Sequence, residues 1–293
     1  MRPGDTVTAA ALLFLVVVGW LRPISPRQRC QITALALLGA ALIAARLAVS
    51  TRFPLAASVT GDWLPCLLML IVYWQAGRFF GKPHEKFQGW LVEFDRRWLG
   101  AFLDRWTHRW NTTWAGTYFE LAYLLCYALI PCGVAVLYWT DHRSAVDQYW
   151  ATVLPASYLC YLLVPFAQTL PPRLLPGSGC APYAKSYTFR AMNLYILRHA
   201  SIHLNTFPSA HVAATIGASL VLMRWVPVVG VLFLLISLSI AAGAVLGRYH
   251  YALDVILGAM LPLCIRGLLA SPQLVALWNS AFHTLHAFLP VHP

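Results

Sequence analysis

Three short stretches of the chain carry side chains able to do phosphoryl chemistry. The first is Asn205-Thr206-Phe207-Pro208-Ser209-Ala210-His211. Pro208 suits the first turn of a helix, where a missing N–H would have had no partner. The backbone N–H groups that follow are unpaired and the helix dipole is positive there, so the stretch predicts an anion site. Ser209 adds a hydroxyl and His211 a proton donor. The second stretch is Arg248-Tyr249-His250-Tyr251-Ala252-Leu253-Asp254. On a helix, His250 and Asp254 share one face. A carboxylate bonded to one ring nitrogen fixes the tautomer and leaves the other nitrogen as a base or nucleophile. Arg248 offers a planar donor fork for phosphate. The third, Gln168-Thr169-Leu170-Pro171-Pro172-Arg173, adds Arg173 as a further phosphate contact. Each stretch alone has a plainer explanation: a capped helix start, a structural ion pair, a head-group or topology contact.

The elements that must position these residues are membrane helices. Of 293 residues, 59% are hydrophobic and only 11% charged, and mean hydropathy is +0.64. A soluble domain is usually about a quarter charged. The expected fold class is therefore all-α, a polytopic helical bundle of about eight spans by the length rule for a bilayer. The candidates lie near 6–21, 32–49, 62–80, 116–139, 149–169, 209–224, 226–247 and 252–270. Arg2 and the first apolar run resemble a signal peptide, but no small-residue cleavage site precedes Arg22-Pro23, so the run reads as a retained span. With eight spans, Arg173, His211 and His250 fall on one side of the membrane.

Two connections are long. Residues 82–115 place Phe87, Trp90, Leu91, Phe94, Trp98, Leu99, Phe102, Leu103, Trp106 and Trp110 at helical steps, with Asp95, Arg96, Arg97, Asp104, Arg105 and Arg109 off that stripe. An amphipathic helix in the membrane interface is expected, with an ordinary surface helix as the alternative. Residues 170–208 hold Pro171, Pro172, Pro176, Gly177 and Gly179 and read as a turn-rich loop. The domain reading is two extra spans in 1–61, a catalytic core in 62–270 and a tail in 271–293.

The net charge of +11 is spread between apolar blocks, which fits head-group contacts and topology signals and excludes a nucleic-acid surface. Cys66, Cys126, Cys132, Cys160 and Cys264 read as inert thiols within apolar stretches. Cys30 and Cys180 fall in loops on the same side, where a disulfide can form. Asp254 is the only carboxylate near the motifs and is paired with histidine. No metal site and no cofactor are expected, and phosphoryl chemistry here would be histidine-based.

Pro208-Ser209-x-His211 followed by His250-x-x-x-Asp254 resembles the type 2 phosphatidic acid phosphatase superfamily, which shares its core with vanadium haloperoxidases. The resemblance covers about residues 62–270. It implies six core helices, His250 as a nucleophile forming a phosphohistidine, Asp254 orienting it, and His211 protonating the leaving oxygen. Ser209, Arg173 and Arg248 would bind phosphate. The sequence departs from the usual pattern at Ala244, where an arginine is common, and Pro171-Pro172-Arg173 stands where a lysine-to-Arg-Pro motif is common. Pro171-Pro172-Arg173, with Phe207 and Tyr251, looks more like the branch of inositol phosphorylceramide and sphingomyelin synthases.

The implied partners are a phosphorylated lipid and the bilayer. Hydrolysis of a lipid phosphate stands ahead of transfer to a lipid or polyol acceptor. A transporter is the rival of another class, but Glu120 is almost the only carboxylate read inside a span. A non-catalytic scaffold would require both histidines to be dispensable. Most basic residues fall on the motif side, which the positive-inside rule would place in the cytoplasm. Without residues 82–110, Arg173 and Arg248, the two sides are nearly even. The resemblance puts the site on the non-cytoplasmic side, and a bacterial inner membrane is the expected location.

Overall fold

Proline sets where several of the helices start. Pro3, Pro26, Pro54 and Pro227 each occupy a first helical turn, where a residue lacking an N–H leaves nothing unpaired. Ser25 adds a side-chain cap to the second helix by accepting the Gln28 N–H. The computed structural model describes residues 1–109, 114–175, 188–202 and 204–271. Among them the helices are α1 (Pro3–Leu21), α2 (Pro26–Val49), α3 (Pro54–Gly77), α4 (Glu85–Arg109), α5 (Trp114–Leu124) and α6 (Cys126–Trp139). They continue as α7 (Val146–Leu163), α8 (Thr188–His199), α9 (Ala210–Trp225), α10 (Pro227–Leu246) and α11 (Ala252–Ala270). The described residues form no named strand, and Thr169 and Asn205 pair as an isolated bridge.

Among the described residues five helices, α1, α2, α3, α10 and α11, are long and apolar enough to cross a membrane. The count reaches six if α5 and α6, bent by 55° at their junction, form one span. The expected count of eight is thus not confirmed. α7 has 18 residues and α9 has 16. At the helical rise these reach about 27 and 24 Å, short of a hydrocarbon core of about 30 Å. Both lie inside the bundle. α9 packs on α10, α7, α11 and α6. Its buried face of alanine, glycine, serine and threonine lets neighbouring backbones approach closely. Helices so enclosed need little lipid-facing surface, and their sequences are correspondingly less apolar.

α1 packs against α2, α3 and α7, so the N-terminal helices join the same bundle as the motif-bearing ones. Buried charge ties them together at the end away from the motifs. Asp62 of α3 receives Arg2 Nη1 at 2.5 Å, Arg143 Nε at 2.7 Å and the Tyr138 hydroxyl. Arg46 of α2 pairs with Asp5 of α1. Asp5 and Asp62 correct the reading that Glu120 is nearly alone as an in-span carboxylate. Each is neutralised by arginine, the arrangement that buried charge requires.

α4 forms as its periodicity predicts, but with two apolar faces. Leu91 and Leu103 are buried, while Trp90, Trp98 and Phe102 are exposed. Asp95, read as lying off the apolar stripe, is buried between those leucine positions. α4 contacts α11 and α10. The connection 170–208 also differs from expectation, because it contains α8, whose Arg190 and Asn193 are buried. Cys126 and Cys160 are buried, Cys66 is partly so, and Cys132 and Cys264 are exposed. Cys30 is exposed, and Cys180 lies outside the described residues, as do 176–187 and the tail from 272.

Candidate active site

The start of α9 and the start of α11 are held together by main chain. The Ser209 N–H donates to the Asp254 carbonyl at 2.9 Å. Ser209 is the N-cap of α9 and His211 lies in its first turn. Pro208 therefore precedes the cap instead of opening the helix as expected, and its peptide bond with Phe207 is cis. Gly258, one turn beyond Asp254 in α11, faces this joint. A Cβ there would stand 2.5 Å from the Ser209 carbonyl oxygen, a contact no side chain can make.

Asp254 organises the other half. Its Oδ2 accepts the Tyr251 N–H at 3.0 Å, Asn205 Nδ2 at 2.7 Å and His250 Nδ1 at 3.3 Å. The carboxylate thus keeps the imidazole hydrogen on Nδ1 and leaves Nε2 with a lone pair. Asn205 is fixed in turn by Thr169. Its N–H donates to the Thr169 carbonyl at 2.9 Å, and Nδ2 also reaches Thr169 Oγ1 at 3.1 Å. Both His250 and Asp254 are buried.

One cavity brings Arg173, His211 and His250 together, with Asn205 and Tyr249 in its wall. The two imidazole centroids stand 6.0 Å apart. Tyr123 and Tyr127 flank His211 at 5.6 and 5.5 Å. The Arg173 guanidinium carbon sits 5.3 Å from the centroid of the Tyr249 ring, which stacks on Tyr123 at 4.1 Å. The Arg173 N–H donates to the Arg248 carbonyl at 3.0 Å, so the proline-arginine turn is fastened to the loop before His250.

Two candidate phosphate ligands lie elsewhere. Arg248 does not line the cavity. Its backbone turns through φ 59°, and its Nη2 lies 3.7 Å from Asp104 on α4. Ser209 is fully buried behind the cavity wall, with no hydrogen bond from its Oγ among the described residues.

Several positioning groups went unassigned in the sequence. Asn205 stands within the quoted stretch but had no partner to reveal its role. Tyr249 donates to Glu120 Oε2 at 2.6 Å, and Glu120 also binds Arg190 and, at 2.8 Å, Asn193 Nδ2. The Arg190 guanidinium carbon lies 5.6 Å from the Tyr249 centroid. Glu120, a carboxylate in an apolar run, was the available signal for this cluster. Asp95 accepts the Ala252 N–H at 3.0 Å, at the start of α11. Burial is the main cause that pushes its carboxyl up to about 6; the Ala252 bond opposes this and the charge of Asp254 adds to it. Among the described residues no group of three or more His, Cys, Asp or Glu converges as a metal site.

A histidine with a free Nε2, a second histidine across a small cavity and an arginine beside both can take a phosphoryl group, protonate what leaves and balance its charge. A family model described as the PAP2 superfamily matches residues 89–289, from within α4 onward. No curated protein matches the chain, and no solved structure does.

Proposed function

This chain belongs to the PAP2 superfamily, whose model matches more than half of its length, and on that premise we propose an integral-membrane phosphatase that acts on lipid phosphates through a phosphohistidine. Members of this family are phosphatases or phosphotransferases, and the apolar helices place the protein in a membrane. The observation that carries the finer reading is the cavity shared by Arg173, His211 and His250, with Asp254 behind His250.

In the first step His250 Nε2 attacks phosphorus. The bond to the lipid oxygen breaks, and His211 gives that oxygen a proton. Arg173 holds the phosphoryl oxygens and stabilises the charge that builds on them. In the second step water attacks the phosphohistidine, His211 takes a proton from it, and inorganic phosphate leaves. Asp254 stays ionised and steadies the imidazolium as it forms, as a carboxylate does in other His-dependent sites. No metal is needed at any step, because arginine and imidazole supply the positive charge.

Transfer to an alcohol is the second reading. It is favoured by Pro171-Pro172-Arg173, Phe207 and Tyr251, which resemble the inositol phosphorylceramide synthase-like branch. The first half-reaction is the same, and a lipid or polyol hydroxyl replaces water in the second. A transporter is disfavoured because Asp5 and Asp62 are tied to arginines and Glu120 to Arg190.

The deciding experiment incubates purified protein with a panel of lipid phosphates, with and without EDTA. Phosphate release that survives the chelator supports hydrolysis. A phosphorylated acceptor formed only when an alcohol is supplied supports transfer. Flux across proteoliposomes with neither product would overturn both readings.

A further inference from the structure

A second cavity, of about 460 Å³, opens between the α1–α2 turn, the α3–α4 connection and the end of α7. It lies at the end of the bundle that carries the catalytic cavity. Its volume falls in the range of about 300–1,000 Å³ typical of small-molecule sites. Arg22, Lys82 and His84 supply its charge and donors, and Phe80 and Phe166 form a half-exposed apolar rim. Among the described residues that line it there is no carboxylate.

The donors are set for an anion. Arg22 Nη2 donates to the Pro165 carbonyl at 2.6 Å, and its guanidinium carbon lies 4.9 Å from the Phe166 centroid. That bond fixes the side chain and uses one of the five N–H groups of a guanidinium. His84 Nδ1 accepts the Phe87 N–H at 3.2 Å, which leaves its ring hydrogen on Nε2 as a donor. Lys82 is exposed at the mouth. The backbone of the floor is already satisfied. The Gln168 amide bridges the Phe79 carbonyl at 2.7 Å and the Gly81 N–H at 2.9 Å. Positive charge, donors and a phenyl rim at the surface of a membrane bundle match a phosphate ester whose acyl chains leave along the rings.

We propose that this cavity binds the phosphate-bearing head group of an anionic phospholipid of the surrounding leaflet, at a site separate from the catalytic cavity. The occupant stays bound and is not turned over. Its wall residue Gln168 immediately precedes Thr169, which holds Asn205 against Asp254. A bound head group therefore braces the segment on which the nucleophile's carboxylate depends. The site does not depend on which reaction the catalytic cavity performs.

The test uses full-length protein in phosphatidylcholine nanodiscs doped with phosphatidylglycerol, with retained phosphatidylglycerol counted by native mass spectrometry. Arg22→Ala with Lys82→Ala should weaken retention at least about fivefold, the effect of losing one cation near an anionic lipid. Lys82→Glu alone leaves the Arg22 bond to Pro165 in place and should act in the same direction. Arg52→Ala, at the opposite end of the bundle, should change nothing. His250→Ala and Arg173→Ala should keep the lipid, which separates this site from the catalytic one. Undiminished retention in Lys82→Glu and in the double variant overturns the proposal. So does protection of Lys82 from amine acylation by inorganic phosphate as effective as that by phosphatidylglycerol, because the ligand would then be free phosphate.

Discussion

In the proposed scheme His250 and His211 divide the labour, and their variants should separate it. His250→Ala removes the proposed nucleophile, so turnover should vanish while the protein still inserts and folds. His211→Ala removes a general acid, which is worth about 10²- to 10⁴-fold, and should spare substrates whose leaving group needs no proton. Residual turnover by His250→Ala with ordinary lipid substrates would displace it as nucleophile. Asn205 acts through Asp254 and touches no substrate in this scheme. Asn205→Ala should lower kcat roughly ten- to a hundredfold, the equivalent of about 1.5–3 kcal/mol for a hydrogen bond to a charged group, with KM little changed. A change confined to KM would make it a substrate contact. The contact of His250 with Asp254 was legible because the two stand four residues apart, although His250 precedes the cap of α11 and does not lie on the helix. Asn205, Tyr249 and Glu120 were not, because each is defined by a partner far away in the chain. Arg248 was legible as a type of side chain, but its place outside the cavity lining and 3.7 Å from Asp104 was not.

At the scale of elements, α4 is the part whose periodicity was plain and whose burial was not. A stripe of aromatic residues cannot say which ring meets protein and which meets lipid. Here Leu91, Asp95 and Leu103 face inward, and Trp98 and Phe102 are exposed. Trp98→Glu should therefore cost long-chain substrates much more than short, soluble phosphates, because it harms seating in the head-group layer and leaves the cavity intact. Equal loss on both would make α4 a structural lobe alone. Asp95 gives the same helix a pH response. Its carboxyl is pushed up to about 6, chiefly by burial, from an ordinary value of about 3.9. The docked state thus prefers the protonated form. The stabilisation is complete below the ordinary value and is lost as pH rises through about 6. Hydrogen exchange within residues 85–105 should speed up across that window. Asp95→Asn, which keeps an acceptor for Ala252, should remove the dependence, and an unchanged profile in that variant would assign it elsewhere. α8 shows the opposite failure. Its neighbourhood of proline and glycine hid a helix whose buried Arg190 and Asn193 hold Glu120.

For the whole molecule, the all-helical membrane class followed directly from composition, while the number of spans did not. Hydropathy over a window could not show that α7 and α9 are enclosed by neighbouring helices and shorter than the five apolar ones. The lock formed by Asp5, Arg46, Asp62, Arg2 and Arg143 was also hidden, because its members are scattered from residue 2 to residue 143. Sidedness is the property that basic-residue counting did not decide, because the excess on the motif side rests on residues 82–110, Arg173 and Arg248. The family resemblance favours a site on the non-cytoplasmic face, with both chain ends inside. Lys86→Cys and Arg52→Cys, each in a cysteine-free background, mark opposite ends of the bundle. An impermeant thiol reagent applied to intact cells should modify the first and not the second. The reverse pattern would put the chemistry in the cytoplasmic leaflet.

The joint between Ser209 and the Asp254 carbonyl has an evolutionary reading. It fixes the two histidines' separation by main chain, so the spacing is inherited with the backbone and survives replacement of most surrounding side chains. Substitutions in the cavity wall therefore leave the separation of the two histidines in place. The exception is position 258, where a single added methyl meets the Ser209 carbonyl. That position has no room for a side chain, although it touches neither substrate nor either histidine in the scheme above.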